Sequence, residues 1–277
     1  MSPTTAQGTL VLIGGREQKD GERVILTEVA RRAGPGTLVV ATLASEEPDC
    51  QWRRYAKAFT ELGVRRVEHL AIADREEALS PDITQIFDGA TAVFFTGGDQ
   101  LKIVAKLGGT SLLARMRELF EGGGLLAGTS AGAASMGEVM LVAQGPRENS
   151  HKVEGAFYMT RGLGLVSDLI IDQHFAQRAR IHRLLGAVGE NPGVLGIGID
   201  EDTAVIVRPQ ESFQVIGSGA VYVVDGSGVT HTNVSETASR DTLRLFDVKL
   251  HVLDGHSGFD LNARRPFRDR ASHSSDT

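Results

Sequence analysis

A serine at position 130 stands in a turn that could make its hydroxyl group a nucleophile. The motif is Gly-Thr-Ser-Ala-Gly over residues 128–132, directly after the apolar run Leu125–Ala127. In a G-x-S-x-G turn between a strand and a helix, the glycines permit a sharp, strained backbone that exposes the serine hydroxyl. The backbone N–H groups that open the helix then face the group under attack. The alternative is a tightly packed Gly/Ala turn without chemistry.

A serine nucleophile requires a base that takes its proton. The chain contains 8 histidines, and His174 differs from the others because it closely follows the apolar run Leu169–Ile171. It therefore stands at the end of a predicted strand, where α/β folds place their functional sites. We predict His174 as the base; the alternative is a histidine that only hydrogen-bonds at a helix start.

The acid that orients this histidine is either Asp172 or a member of the acidic turn Asp200-Glu201-Asp202. Asp172 would share a strand face with His174, but it could not easily reach around to the Nδ1 atom. Glu201 could reach that atom from an adjacent strand. An ordinary solvated turn remains the other interpretation of the acidic triplet, so the spacing leaves the acid open.

A tetrahedral intermediate requires two N–H donors aimed at its oxyanion. The N–H of Ala131, the residue after the serine, is one candidate. The second is predicted in the turn that follows the apolar segment ending at Phe95, with Gly98 or Asp99 as the donor. A plain connection between a strand and a helix is the alternative for this turn.

Three arginines follow the predicted base closely: Arg178, Arg180 and Arg183. The pattern predicts a helix over Phe175–Val188, and on it Arg180 and Arg183 would share a face. Arginines beside a nucleophile can bind substrate carboxylates through two parallel hydrogen bonds. A solvent-facing basic helix face is the alternative.

Composition and motifs exclude several other functions. The net charge of −6 gives no electrostatic argument for nucleic acid or an anionic membrane as a partner, and no apolar run is long enough to span a bilayer. The turn Gly14-Gly15 does not match G-x-G-x-x-G, so we reject a dinucleotide site. We expect no metal and no cofactor, because the sequence has no H-E-x-x-H motif and no Cys/His cluster. The segment Met1–Gln7 lacks the features of a signal peptide, and we expect a cytoplasmic protein.

The order of apolar segments predicts an α/β fold. In the first half, strands that are apolar throughout alternate with helices, which indicates a mostly parallel central sheet with helices on both faces. The second half reads as strands joined by Gly-, Asp- and Pro-rich turns, and we interpret them as an antiparallel C-terminal extension of the same sheet. We expect a single catalytic domain over residues 1–277, with 1–7 and 262–277 as flexible tails.

Four segments together resemble the cyanophycinases. They are F-T-G-G-D-Q at 95–100, G-T-S-A-G-A at 128–133, D-Q-H-F at 172–175 with the arginines that follow, and G-I-D-E at 198–201. The resemblance runs from about Gly14 to the last strand, in order and at similar spacing. One departure is visible at 16–19, where this chain has Arg-Glu-Gln-Lys and relatives commonly have Ala-Glu-Asp-Lys.

The resemblance implies a serine-type exopeptidase with a fold like that of class I glutamine amidotransferases. Such enzymes degrade cyanophycin, a poly-aspartate chain with arginine on each β-carboxyl group, to β-Asp-Arg dipeptides. It implies Ser130 as the nucleophile, His174 as the base and Glu201 as the third member of the triad. It also implies a homodimer and a substrate pocket formed by Gln100, Asp172, Gln173, Arg178, Arg180 and Arg183. An α-aspartyl dipeptidase and a non-catalytic binding module on the same fold are the alternatives.

Overall fold

The computed structural model describes residues 8–143, 157–234 and 242–268 as a mixed α/β fold. The strands are β1 (Thr9–Ile13), β2 (Thr37–Ala41), β3 (Arg66–Leu70), β4 (Ala90–Phe95), β5 (Leu125–Thr129), β6 (Gly137–Ala143), β7 (Phe157–Arg161), β8 (Val166–Gln173), β9 (Leu195–Ile199), β10 (Thr203–Arg208), β11 (Ser212–Gly217), β12 (Val221–Asp225), β13 (His231–Thr232), β14 (Leu245–Phe246), β15 (Lys249–Leu253), β16 (Ser257–Asp260) and β17 (Arg265–Arg268). The α-helices are α1 (Val24–Ala33), α2 (Pro48–Glu61), α3 (Arg75–Leu79), α4 (Gln100–Leu107), α5 (Ser111–Glu121), α6 (Ala131–Ala134) and α7 (Ile181–Glu190), and a 3-10 helix spans Pro81–Phe87.

Nine strands form the larger sheet, in the order β17-β16-β11-β10-β1-β5-β4-β2-β3. The five strands from β1 to β3 in this order run parallel. Strands β2 and β5 are buried along their whole length, because successive side chains point to opposite faces and both faces are covered. Helices α1 and α2 pack on one face and α4 and α5 on the other. For this half of the sheet, the predicted parallel strands with helices on both faces are confirmed.

The other strands of this sheet are antiparallel, so the sheet as a whole is mixed. Strands β10, β11, β16 and β17 follow β1 in antiparallel pairing. The predicted antiparallel extension is therefore confirmed for β10 and β11. The expectation of a mostly parallel sheet holds only for the five strands from β1 to β3.

A second sheet of six strands corrects the sequence prediction. Its order is β15-β12-β9-β8-β6-β7, and β6, β8 and β9 run parallel. The sequence predicts Val194–Ile199 and Ala220–Val224 in an extension of the first sheet, but the corresponding strands β9 and β12 lie in the second sheet. An apolar strand that is buried on both faces fits the middle of either sheet, so its side-chain pattern does not specify its neighbours.

Two further segments differ from the prediction. The predicted helix over Phe175–Val188 begins only at Ile181, because the chain first makes a turn in which Ala179 has a positive φ of 50°. In the expected tail 262–277, residues up to Arg268 are ordered, and β17 pairs with β16. Residues 1–7 and 269–277, the other expected tail segments, lie outside the described residues. None of the helices in the described ranges has the length and apolarity that a bilayer crossing requires.

Candidate active site

The site lies where the carboxyl ends of four strands from both sheets meet. In the larger sheet, Ile13 of β1 pairs with Thr129 of β5, so the residue after Thr129, Ser130, emerges beside the end of β1. In the second sheet, Gln173 of β8 pairs with Ile199 of β9, so the chain segments that follow these two residues also emerge together. The N–H of His174 donates to the carbonyl of Gly14 at 2.8 Å, which joins the two sheets at this point.

Ser130 has the strained backbone that the nucleophile turn predicts. Its φ of 53° and ψ of −114° lie outside the regions that side-chain-bearing residues ordinarily occupy. The flanking glycines allow the close packing around it. A Cβ atom at Gly128 would approach the Gly132 carbonyl carbon to 2.6 Å, and one at Gly132 would approach the Phe95 carbonyl oxygen to 2.5 Å. Neither position of the motif therefore accepts a larger residue without a backbone shift.

A chain of hydrogen bonds connects Ser130, His174 and Glu201. The Ser130 Oγ atom lies 2.9 Å from His174 Nε2, and His174 Nδ1 lies 2.7 Å from Glu201 Oε1. Of the acids left open by the sequence, the structure thus brings Glu201 to the imidazole. Asp200 instead accepts from the N–H of Ala176 at 2.9 Å, which fixes the turn after the histidine.

Burial lowers the pKa of the His174 imidazole below its ordinary value of 6.5. The hydrogen bond with Glu201 acts in the opposite direction, while the positive charges of Arg178 and Arg180 add to the lowering. The imidazole is therefore neutral near pH 7, and in the neutral form its Nε2 atom can accept a proton.

The loop after β1 encloses the histidine and the acidic turn. A Cβ atom at Gly15, where φ is 107°, would come within 2.3 Å of the His174 ring, so only glycine fits. The Gly15 carbonyl accepts from the N–H of Asp202 at 2.8 Å, and the Gln18 side chain donates to Asp202 at 3.0 Å. Arg16 lies 3.3 Å from Glu201. The sequence analysis did not predict that this loop contacts the base and the acidic turn, although the Gly14-Gly15 turn at a strand end could have indicated it.

The buried carboxylate of Glu17 is hydrogen-bonded to the nucleophile turn, a contact that the sequence analysis did not predict. Glu17 accepts a hydrogen bond from Thr129, the residue before the nucleophile, at 2.6 Å. It also accepts from the Tyr55 hydroxyl and, at 3.1 Å, from Lys19 Nζ. Burial and the neighbouring Glu17 charge raise the pKa of Tyr55 well above its ordinary range, so Tyr55 remains a proton donor. The sequence carried one signal, since Glu17 matches the segment at 16–19 that is shared with relatives.

Gly98 and Asp99 are the two candidates for the second N–H donor to the oxyanion, and their contacts differ. The Asp99 N–H already donates to the Ala44 carbonyl at 3.0 Å, which corrects its prediction as an oxyanion donor. Gly98 has a φ of 144° and packs so closely against Ala44 that a Cβ atom would lie 2.1 Å from its carbonyl oxygen. Gly97 faces the nucleophile more directly, because its Cβ position lies 3.8 Å from Ser130 Oγ. This turn therefore borders the serine, as expected.

Four of the six predicted substrate residues are buried and form a polar cluster next to the base: Asp172, Gln173, Arg180 and Arg183. Arg183 donates to Asp172 through Nε at 2.6 Å and through Nη2, and Arg180 donates to the Gln173 carbonyl at 2.7 Å. Arg180 is the residue directly before α7 rather than a member of the helix, but it lies on the same side as Arg183, because its Nη1 atom also donates to Asp172 Oδ1 at 3.4 Å.

The side chain of Gln173, together with Gln100 and Arg178, completes the set of predicted substrate residues. The Gln173 Oε1 atom lies 3.4 Å from Ser130 Oγ. Gln100 reaches the Leu141 carbonyl on the second sheet, and Arg178 is exposed. Among residues 8–143, 157–234 and 242–268, no group of three or more His, Cys, Asp or Glu side chains could hold a metal ion.

The sequence and the fold of this chain are similar to those of known peptidases. The model of peptidase family S51 matches residues 10–215. The chain is 36% identical to the cyanophycinase of Synechococcus elongatus over 273 residues (96% of this chain, 84% of that one) and 38% identical to that of Trichormus variabilis over 266 residues (95% and 89%). A peptidase from an acI-B1 actinobacterium has a similar fold, with a TM-score of 0.63 at 22% identity over 88% of this chain and 97% of that one. The chain belongs to peptidase family S51.

Proposed function

We propose that this chain is a serine-type exopeptidase that hydrolyses cyanophycin to β-Asp-Arg dipeptides. The hydrogen-bond chain from Ser130 through His174 to Glu201 carries the proposal, because it is the arrangement that activates a serine hydroxyl. The relatives named cyanophycinase, at 36% and 38% identity over nearly the whole chain, support the choice of substrate.

In the first half of the reaction, Ser130 Oγ attacks the carbonyl carbon of the scissile bond. Its proton passes to His174 Nε2, and the imidazolium that forms is stabilised by the carboxylate of Glu201. The tetrahedral intermediate collapses as the C–N bond breaks, and His174 returns the proton to the leaving nitrogen. The products of this half are an acyl-serine and a free amine.

In the second half, water hydrolyses the acyl-serine. His174 takes one proton from the water as its oxygen attacks the acyl carbon, and it then protonates Ser130 Oγ as the ester bond breaks. The acid product leaves, and the free enzyme is restored. The N–H of Ala131 and one of the N–H groups at Gly97 or Gly98 are the donors that we assign to both oxyanions.

Several finer assignments belong to the same proposal. We assign the five parallel strands and the nucleophile turn to the class I glutamine amidotransferase-like folds, and the whole chain to one catalytic domain. We further propose a cytoplasmic homodimer. Substrate contacts are assigned to the expected pocket residues Gln100, Asp172, Gln173, Arg178, Arg180 and Arg183.

The test is incubation of the purified protein with cyanophycin and mass analysis of the products. The expected result is accumulation of the β-Asp-Arg dipeptide. Ser130→Ala serves as the matched control, because it removes only the attacking oxygen from the turn. An enzyme that leaves cyanophycin intact but hydrolyses short Asp-X peptides is an aspartyl dipeptidase, and that result would overturn the proposal.

A further inference from the structure

A cavity of about 400 Å³ opens beside the nucleophile, on the side of the loop that follows β1. Ser130 and Gly97 border it at one end, and Lys19, Asp20, Arg54 and Tyr55 contribute to its other walls. The substrate residues expected from the sequence do not line it. The cavity is therefore a separate space that a substrate bound at Ser130 can enter.

The floor of this cavity is fixed by the buried Glu17 carboxylate. Glu17 accepts hydrogen bonds from Thr129 at 2.6 Å, from Tyr55, and from Lys19 at 3.1 Å, and its side chain is fully buried. The Lys19 ammonium group also lies 4.7 Å from the centre of the Tyr55 ring. The charge of Lys19 is thus paired with Glu17, and these hydrogen bonds are formed without any ligand.

Besides Glu17 and Lys19, three charged side chains line the cavity; Arg16 pairs with Glu201 at 3.3 Å, so two charges remain available. Arg54 on α2 and Asp20 on the loop are both exposed, and no ion pair among the described residues involves either of them. One cavity thus presents a free guanidinium group and a free carboxylate. A ligand that complements it carries a carboxylate and a cation together, which is the chemistry of an arginine with a free carboxyl group.

We propose that this cavity binds one arginyl branch of cyanophycin, with Arg54 on the branch carboxylate and Asp20 on the branch guanidinium. The inference rests on the proposed function, and it adds a subsite next to Ser130 that binds the two charged groups of the branch. The volume falls in the range of about 300–1,000 Å³ that is usual for small-molecule sites. A planar guanidinium group can bind the carboxylate through two bonds, which favours Arg54 for this role over an ammonium group.

The first test compares Arg54→Gln with Arg53→Gln, using soluble cyanophycin oligomers. Arg53 is the matched control, because it is the neighbouring exposed arginine on the same helix and does not line the cavity. We expect Arg54→Gln to raise KM about tenfold, which is at the lower end of the effect of losing a hydrogen bond to a charged group. The value of kcat should not change, because the contact binds the substrate without touching the reacting atoms. On oligomers whose arginyl carboxylates are amidated, the two variants should be equal.

The second test is independent and uses the opposite charge. Asp20→Asn is compared with Glu22→Gln, an exposed acid nearby that does not line the cavity. Asp20→Asn should raise KM on cyanophycin oligomers and lose this effect on oligomers that carry citrulline in place of arginine. Thermal melting of all four variants checks that each is folded.

The outcomes separate the two proposals. A wild-type enzyme that releases no dipeptide from cyanophycin overturns the proposed function, and the subsite with it. An active wild type whose Arg54→Gln and Asp20→Asn variants match their controls overturns only the subsite. Equal increases in KM on the natural and the modified oligomers would also overturn the subsite, because neither side chain would then be binding the charged group of the branch.

Discussion

Arg183 holds the carboxylate of Asp172 with two parallel hydrogen bonds, and both side chains are almost completely buried. One bond runs from Nε to Oδ2 at 2.6 Å and the other from Nη2 to Oδ1. Since Asp172 precedes His174 by two residues at the end of β8, this pair holds the strand end from which the base projects. A buried pair of this kind becomes costly when one partner is removed, because the other charge is left uncompensated.

We expect Asp172→Asn to lower the free energy of unfolding by about 3 kcal/mol, because the buried Arg183 then loses the carboxylate that accepts two of its hydrogen bonds. Urea denaturation measures this change. Asp168→Asn is the control, since Asp168 is an exposed acid on the same strand. Equal stability of the two variants would show that the pair does not hold the strand end, and would leave Asp172 free to act on the substrate alone.

Ser130→Ala should fold normally and lose activity by a factor on the order of 10³ or more, because the members of a triad act as a unit. The measurement is the initial rate of dipeptide release from cyanophycin, with circular dichroism to confirm the fold. The strained backbone of residue 130 gives a second readout, the melting temperature. Alanine keeps the strained φ unfavourable, whereas Ser130→Gly should raise the melting temperature. Near-wild-type turnover by Ser130→Ala would refute its assignment as the nucleophile.

Glu201→Gln should lower kcat by a factor of about 10² to 10⁴, because the imidazolium formed at His174 loses its counter-charge. The fold should persist, since the Glu201 side chain is partly exposed at 19%. Steady-state kinetics on cyanophycin oligomers separate kcat from KM. If Asp172→Asn lowers kcat more than Glu201→Gln does, at equal folded fractions, Asp172 rather than Glu201 is the acid that matters for chemistry.

The pH dependence of kcat/KM should report the depressed pKa of His174. The base must be neutral, and burial lowers its pKa, so the acid limb should have its midpoint below pH 6.5. Arg178→Gln removes a nearby positive charge that disfavours the imidazolium, so it should move this midpoint to higher pH. Arg208→Gln, at an exposed position on β10, is the control. A midpoint that moves to lower pH in Arg178→Gln would contradict this electrostatic argument.

Glu17→Gln tests the buried network beneath the nucleophile turn. An amide cannot accept all three hydrogen bonds with the strength of a carboxylate, and Lys19 loses its counter-charge. We expect a loss of about 2–3 kcal/mol in the free energy of unfolding, together with a lower kcat, because Thr129 directly precedes Ser130. Urea denaturation and kinetics measure the two effects, with Glu22→Gln as the control. A variant with normal stability and normal kcat would exclude a positioning role for Glu17.

Local patterns in the sequence determined the parts of the site that depend on local backbone geometry. Apolar strands alternating with helices predicted the five parallel strands, because a strand covered on both faces must be apolar throughout. The motif around Ser130 predicted a strained turn, since its glycines are needed wherever backbones approach closely. The position of His174 at a strand end predicted that it would lie near other strand ends.

The tertiary structure alone decided which residues meet. The pairing of β8 with β9 brings Glu201 to His174, and the pairing of β1 with β5 brings the Gly15 loop and Glu17 to the nucleophile turn. The tertiary structure also places β9 in a second sheet, and it pairs the Asp99 N–H with the Ala44 carbonyl. These relationships join residues far apart in the chain. They depend on strand order and register, which buried apolar strands leave open because they fit many neighbours equally well.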